Sequence, residues 1–556
     1  MLDAPTVSAP ATETSPPPRT RWFSRLTWSD LSLLPLAFGV LLYVRQYANH
    51  LPLWLDEQMI SRNLRDRGFG GLVGELANNQ SAPLGWLWVQ RALISVFGTD
   101  EYVLRLLPLL AAIGTLVVAW WAGRRWLGPV GAITLVTVVA TSAAAIRYSA
   151  EVKQYSGDLF WTMLLLVAAM VLLEQPRPAI RSYVLWWSLA GLACLFSMGA
   201  MLATPVFAVV VVASALARAG WREAVRAAAP FLIWLALFAF HYLASLRHVV
   251  GSEFMATFWG RRGYPPVDAG PRQLAGWAWD RLEVLGRDPL GLLPPGQGAH
   301  YLEIASHLFW ALFLLGCLAA AWHRRPFGAL LAGVVVFAYV LAVAEVVPLY
   351  MRMAMWILPA VYVGIGFAAD AGARLVAAAV RARRMPTAVR SPRALAGGLV
   401  GAAAVALVGV LVAPLAVAHA DPPALVNTDE RAAVRWMAGQ HRPGDLTLVL
   451  SSSRHAVPWY ADSLRPRREP KLWEMPAGGT CKFTDLSAAV DGYQRLLLIG
   501  YLKEGPAATT GNRLRADVGA IGTVVAEGPF GPSMIALVVE LRPAAERGPT
   551  GCYELF

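Results

Sequence analysis

Charge is scarce in this chain. Of its 556 residues only 15% are Asp, Glu, Lys or Arg, while 56% are hydrophobic, a balance that excludes an ordinary water-soluble globular protein, where about a quarter of residues are charged. Lysine is nearly missing, found only at Lys153, Lys471, Lys482 and Lys503, so the formal net charge of +12 is carried by arginine. The first twenty residues, MLDAPTVSAPATETSPPPRT, have no apolar period and predict a disordered tail. A cleavable signal peptide does not fit, because the first apolar run begins near Leu31, is long enough to span, and has no small-residue cleavage site after it. There is no basic-aromatic platform for nucleic acid. Nor is there a dinucleotide-type Gly-rich turn between strand and helix; GFGG at Gly68 falls in a loop.

What is present is a series of long apolar runs. A spanning helix needs about 20 such residues, and eleven stretches qualify or nearly so, near 31–48, 103–122, 128–146, 157–174, 182–199, 201–218, 228–247, 302–322, 327–347, 354–371 and 395–419. Arg clusters fall at every second connection: Arg19, Arg21 and Arg25; Arg124 and Arg125; Arg177 and Arg181; Arg218, Arg222 and Arg226; Arg324 and Arg325; then Arg374 to Arg393. Positive charge is retained on the cytoplasmic side, which predicts a cytoplasmic N-terminus in a multi-pass plasma-membrane protein. The segment PLGWLWVQRALISVFG from Pro83 is short, contains Arg91 and would invert every later cluster if it crossed. It is expected as an interfacial helix on the outer side, with Trp86 and Trp88 at headgroup level.

After Ala420 the pattern changes. DERAAVRWMAGQ reads as a helix, and DLTLVLSS, RLLLIGY and MIALVVEL as buried strands. The expected organisation is a disordered cytoplasmic tail at 1–28, an all-α transmembrane domain at 29–420 and a small extracytoplasmic α/β domain at 421–556. Cys481 and Cys552 then lie in the oxidising compartment and are candidates for a disulfide, whereas Cys194 and Cys317 fall inside spans and should pack as small apolar side chains.

Ionisable groups within or beside a membrane need a reason. On the outer side they gather: Asp56 and Glu57 after the first span; Arg147, Glu151, Lys153 and Asp158 between the third and fourth; His241 and Arg247 ending the seventh; Glu345 ending the ninth; Arg352 opening the tenth. Arg147, Lys153 and Arg352 run against the charge bias that orients the chain, and a bound anion would explain them. An acid of the Asp56–Glu57 pair could serve as a general base, or the pair could simply open a solvated helix, where acids suit the helix dipole. In IRYSAEVKQYSGDLF, helical continuation would put Arg147, Glu151 and Tyr155 on one face; Arg147 either holds a phosphate or pairs with Glu151. In PLYMRMAMWILPA, Tyr350 precedes Arg352, which either binds an anion or snorkels to the interface. His241 reads more readily as hydrogen-bonded structure than as a metal ligand, and the Gly397–Gly401 spacing suits close helix packing.

In order, the Asp-Glu pair, the Pro-led helix SAPLGWLWVQRALISVFG, EYVLRLLPLLAAIGTL, YSAEVKQYSGD and the Arg of YMRMAMWILP resemble the GT-C membrane glycosyltransferases, especially the branch of protein O-mannosyltransferases and the lipid A aminoarabinose transferase. The resemblance covers roughly residues 31–370. It implies transfer of a monosaccharide from a polyprenyl-phosphate donor to a hydroxyl of a glycan, lipid or protein on the outer face. Asp56 would be the catalytic carboxylate, with Glu57 orienting a helix or a divalent ion. Arg147, Lys153, Tyr155 and Arg352 would bind the donor phosphate, supported by Glu151, His241 and Tyr350. One departure stands out: the aminoarabinose transferase carries a Lys before the Pro-led helix, where this chain has Gln80-Ser81-Ala82-Pro83. Two other readings remain open, a transporter or flippase for a lipid-linked sugar and a non-catalytic assembly subunit of the cell envelope. The Arg-rich, Lys-poor, Ala-rich usage suits a high-GC bacterium.

Overall fold

A computed structural model describes residues 28–248, 250, 262–266, 268–294, 296–383, 399, 401–403, 405–410, 412–413, 429–461, 464, 484–502, 507–530, 534–550 and 552–553. The expected tail at 1–28 therefore lies almost wholly outside the described residues, as does Cys481. The proposed Cys481–Cys552 disulfide falls outside them too.

Among the described residues, eight helical segments are long and apolar enough to cross a membrane: Asp30–Ala48, Glu101–Trp126, Tyr155–Glu174, Met198–Ala219, Trp221–Ala244, Ala299–His323, Arg325–Val343 and Met351–Ala382. Each coincides with one of the expected stretches, and the chain is a multi-pass membrane protein. The remaining three stretches behave differently. The first of them, 128–146, breaks into Pro129–Ala140 and Ala143–Tyr148. Thr141 Oγ1 turns back to the Thr137 carbonyl (2.8 Å), and Ser142 starts a new helix by accepting from Ala145 N (3.2 Å). The stretch at 182–199 shortens to Ile180–Cys194, because Ser197 caps the helix after it by accepting from Ala200 N (2.8 Å). Most of 395–419 lies outside the described residues.

The first half of the bundle is built from α1 (Leu33–Ala48), α2 (Leu55–Asp66), α3 (Leu84–Phe97), α4 (Glu101–Trp126), α5 (Pro129–Ala140), α6 (Ala143–Tyr148), α7 (Tyr155–Glu174), α8 (Ile180–Cys194) and α9 (Met198–Ala219). The bundle is cored by Leu116, Leu135, Leu166, Phe207, Phe313 and Phe327, all fully buried or nearly so. Small residues let the later helices touch backbone to backbone. A Cβ on Gly316 would sit 1.9 Å from the Gly364 carbonyl oxygen, and one on Gly401 2.4 Å from that of Gly372. Cys194 and Cys317 are buried free thiols in this packing.

Helices α2 and α3, of 12 and 14 residues, are shorter than the roughly 20 residues a span needs. Ile60 and Leu64 of α2 pack with Trp86, Leu87 and Ile94 of α3 in a satellite core that also holds Leu53 and Val152. Arg91, the charge inside the Pro-led helix, donates to the carbonyls of Leu64 (2.9 Å) and Arg65 (3.2 Å), closing the last turn of α2. The expectation for Trp86 needs correcting. Trp86 is inside that satellite core because α2 covers its face of α3, while Trp88 is part-exposed and donates to the Phe69 carbonyl (3.0 Å).

Past residue 429 the chain forms the expected α/β unit. After the helix Glu430–Gln440 come β1 (Leu446–Val449), β2 (Thr484–Asp485), β3 (Arg495–Tyr501), β4 (Gly522–Glu527), β5 (Met534–Leu541) and β6 (Cys552–Tyr553). Four strands form a sheet in the order β1-β3-β5-β4, with β1 parallel to β3 and the other pairs antiparallel; β2 and β6 pair separately. The unbroken apolar runs of β1, β3 and β5 are explained by burial on both faces. Leu448, Leu498 and Leu537 pack on one side with Leu514 and Val518, whereas Val449, Ile499 and Val538 pack on the other with Val434 and Met437.

Candidate functional site

The chain leaves α1, runs extended to Trp54 and enters α2, so Asp56 and Glu57 occupy the first turn, as their preference for the positive end of a helix predicts. The two acids part at once. Glu57 is 1% exposed and its oxygens are fully engaged. Oε1 accepts from Arg105 Nε (3.1 Å) and Val152 N (2.6 Å), and Oε2 accepts from Arg105 Nη2 (2.8 Å) and Trp54 N (3.1 Å). Arg105, from α4, also donates to the carbonyls of Leu51 and Pro52. Asp56 is half-buried, and its Oδ2 accepts from Arg352 Nη2 at 2.7 Å.

Arg352 comes from the 3-10 turn Met351–Ile357 that opens the last long helix. Its guanidinium lies 5.6 Å from the Trp54 ring centre and 5.7 Å from that of Tyr155, an aromatic sandwich for a delocalised cation. Tyr155, the first residue of α7, meets Tyr148 edge-on at 5.0 Å.

Helical continuity through 149–154 does not hold. Helix α6 ends at Tyr148, whose carbonyl accepts from Ser156 Oγ (2.6 Å), and the Val152 N–H is taken by Glu57 instead of an α-helical carbonyl. Residues 149–154 are thus folded as turns against α2. Arg147 and Glu151 still meet, Nε to Oε2 at 3.4 Å, but Tyr155 reaches the cluster from the next helix. Glu151 is buried and Oε1 has no hydrogen-bond partner among the described residues. Burial raises its carboxyl to about 7 despite the neighbouring Arg147 cation. Lys153 is buried as well, and its Nζ donates to Gln80 Oε1 at 2.6 Å. Burial lowers the ammonium to about 8, against the opposing attraction of Asp56. Gln80, the residue before the Pro-led helix that departs from the resemblance, therefore has an ammonium against it after all, delivered from 73 residues further on.

Other candidates fall elsewhere. Asp158 accepts from Ser197 Oγ (2.6 Å) and Gly199 N (2.9 Å), capping α9. His241 is fully buried in Phe231–Ala244, and neither ring nitrogen has a partner among the described residues. Tyr350 is half-buried at the start of the 3-10 turn, where its carbonyl accepts from Met353 N (3.1 Å). Asp288, unremarked in the sequence, joins the cluster electrostatically; burial raises its carboxyl, and Arg147 and Arg352 pull it down. Its position in a long polar connection carries no signal that could have singled it out.

Among the described residues, one group has the donor set for a metal ion: His50, Asp100 and Glu101, with ligand atoms within 4.8 Å of one another. Arg431 already places a guanidinium there, 3.2 Å from Glu101 Oε1 and 3.5 Å from His50 Nδ1. That positive charge opposes a second cation.

No family model matches the sequence, and no curated protein does. Solved structures do. ArnT from Cupriavidus metallidurans in the apo state is similar over 94% of this chain and 99% of that chain, with a TM-score of 0.51 at 15% identity. The same protein bound to undecaprenyl phosphate gives 0.49 at 14% identity, over 94% of this chain and 100% of that one. The oligosaccharyltransferase AglB from Archaeoglobus fulgidus, in complex with an inhibitory peptide and a dolichol-phosphate, gives 0.45 at 11%, over 90% and 73%. The apo ArnT match shows that this chain shares the fold of that protein.

Proposed function

We propose that the protein is a glycosyltransferase that moves a monosaccharide from a polyprenyl-phosphate donor to a hydroxyl acceptor on the extracytoplasmic face, with inversion and with Asp56 as general base. The observation that carries this reading is the pairing of Asp56 with Arg352 at 2.7 Å beside Lys153, Arg147 and Glu151, a carboxylate and a cation cluster at one end of a membrane bundle. ArnT, which shares the fold, has been solved with undecaprenyl phosphate, the chemistry this cluster suits.

In this mechanism a donor phosphate competes for Arg352 and releases Asp56. The carboxylate takes the acceptor hydroxyl proton while the oxygen bonds to the anomeric carbon and the carbon–phosphate-oxygen bond breaks. The charge growing on the leaving phosphate is met by Arg352, Lys153 and Arg147. Preorganised donors of this kind are worth roughly 3 kcal/mol each in catalysis. Tyr155 holds the Arg352 plane, and Glu57, with no lone pair to spare, orients α2 through Arg105 rather than reacting.

The proposed topology has the N-terminus cytoplasmic, the division near residue 420 and the α/β unit outside. The ion pairs Arg124–Asp30 and Arg125–Glu174, where α1 begins and α4 and α7 end, support it. They lie at the opposite helix ends from Asp56, on the side where positive charge is retained.

The test is incubation of protein in proteoliposomes with radiolabelled undecaprenyl-phosphate pentoses and hexoses and a hydroxyl acceptor panel, scoring released undecaprenyl phosphate against translocated donor. Transfer that is lost in Asp56→Asn, with expression and lipid-phosphate binding intact, is expected. Translocation without bond cleavage would replace this reading with the transporter one.

A further inference from the structure

The segment that carries Asp56 is held on both sides by the C-terminal α/β unit. Three residues before Asp56, the Leu53 N–H donates to Tyr460 Oη at 2.7 Å. Tyr460 in turn donates to Glu101 Oε1 at 3.1 Å. Two residues after Asp56, Gln58 Nε2 donates both to the Leu53 carbonyl (2.6 Å) and to Glu430 Oε2 (2.8 Å). The other oxygen of Glu430 accepts from Ser453 Oγ. Further back, Arg431 Nη2 donates to the His50 carbonyl at 2.9 Å. Leu53, Gln58 and Glu430 are all buried, so water cannot replace these partners, and a buried polar group without its partner is costly.

Both backbone groups of Leu53 are committed, one to each side of this network, and Leu53 directly precedes Trp54, the N-cap of α2. Contacts of the α/β unit with Leu53 and Gln58 flank Asp56, and further ones reach along α2 to Arg62, whose Nη1 is 3.2 Å from His455 Nδ1, and Arg65, which donates to the Pro458 carbonyl (3.2 Å); the Asp56 carboxylate itself pairs with Arg352 from the membrane bundle.

We infer that Tyr460 and Glu430 are positioning residues for Asp56, so that the C-terminal α/β unit is part of the reaction centre and fixes the base against the acceptor hydroxyl. This rests on the reading of Asp56 as the base. Placing a reacting group to within a fraction of an ångström is worth orders of magnitude in rate, and a residue that only aims the base should act on kcat rather than on donor binding.

The test uses the full chain in nanodiscs with two near-isosteric variants, Tyr460→Phe and Glu430→Gln, and two readouts. Hydrogen exchange of the peptide containing the Leu53 amide reads the anchor without any substrate, and it should quicken about tenfold or more in Tyr460→Phe. With the radiolabelled undecaprenyl-phosphate sugar that turns over best, kcat should fall about tenfold or more in Tyr460→Phe and about threefold in Glu430→Gln, with KM for the donor within about twofold of wild type. Arg515→Gln, which breaks an exposed pair with Glu527 elsewhere in the same unit, should change neither readout.

Wild-type exchange at Leu53 in both variants overturns the inference, as does a normal kcat, or a kcat loss equalled by Arg515→Gln. Should Tyr460→Phe fail to fold, Glu430→Gln carries the same two readouts. Turnover surviving in Asp56→Asn would instead sink the base reading and leave the exchange result standing. A dead Asp56→Asn with a normal Tyr460→Phe sinks only the positioning role.

Discussion

At the end of the bundle where α1 begins, arginines keep their guanidinium groups partly in water: Arg124, paired with Asp30, is 38% exposed and Arg125, paired with Glu174, is 44% exposed. At the other end most of the same chemistry is withdrawn from solvent, with Arg352 20% exposed, Lys153 6% and Glu151 5%, while Arg147 at the rim keeps 36% of its side chain exposed. The first set fits the cytoplasmic face of the proposed topology, where water and headgroups screen it. Burial at the second end costs free energy that no lipid contact returns. It also shifts proton affinities toward neutrality, as Glu151 at about 7 and Lys153 at about 8 show. Perturbed groups of this kind collect where a ligand or a reaction uses them.

The contrast can be tested from both sides. The largest effect is expected from Asp56→Asn, which removes the proposed proton acceptor while keeping shape; transfer should fall by about 10³-fold or more, measured as released undecaprenyl phosphate. Next, Arg105→Leu strands the buried Glu57 carboxylate and should lower stability by about 3–5 kcal/mol, read by thermal unfolding in detergent. Arg352→Lys keeps a charge but loses the planar fork, and should cost about 10²-fold in kcat.

A smaller effect concerns pH. Lowering pH through 8 charges Lys153 and through 7 neutralises Glu151, so each step adds one positive charge to the cluster. Binding of undecaprenyl phosphate should therefore weaken as pH rises from 7 to 9, by up to about tenfold for each unit above 8, and Lys153→Met should flatten that slope. Smallest of all, Arg124→Gln at the open end should change stability by less than about 1 kcal/mol and leave transfer unchanged; a large loss there would erase the distinction between the two ends.

Much of the fold was readable because it is written in local periodicity. Span-length apolar runs, strands buried on both faces and a Pro-led helix with its lone Arg91 all have short-range signatures. The cluster was partly readable, since Arg147, Lys153 and Arg352 violate the charge bias. Partnerships were not. Adjacent acids look alike in a sequence, and what separates Asp56 from Glu57 is Arg105, 48 residues on, and the Val152 N–H, 95 residues on. The expected helix through Glu151 failed for the same reason: a carboxylate from another segment took the backbone donor that a helix would have used. Asp288 and Tyr460 carry no local mark at all.

The tie between Gln58 and Glu430 spans 372 residues, and this has a consequence in time. A ribosome adding about 5–20 residues per second delivers Gln58 roughly 20–75 s before Glu430 exists. Throughout that interval the bundle can insert and pack while the segment bearing Asp56 lacks its last anchors. The bundle can thus take its membrane form before the segment bearing Asp56 is anchored, so a product cut short before Glu430 would embed in the bilayer with that segment unfixed.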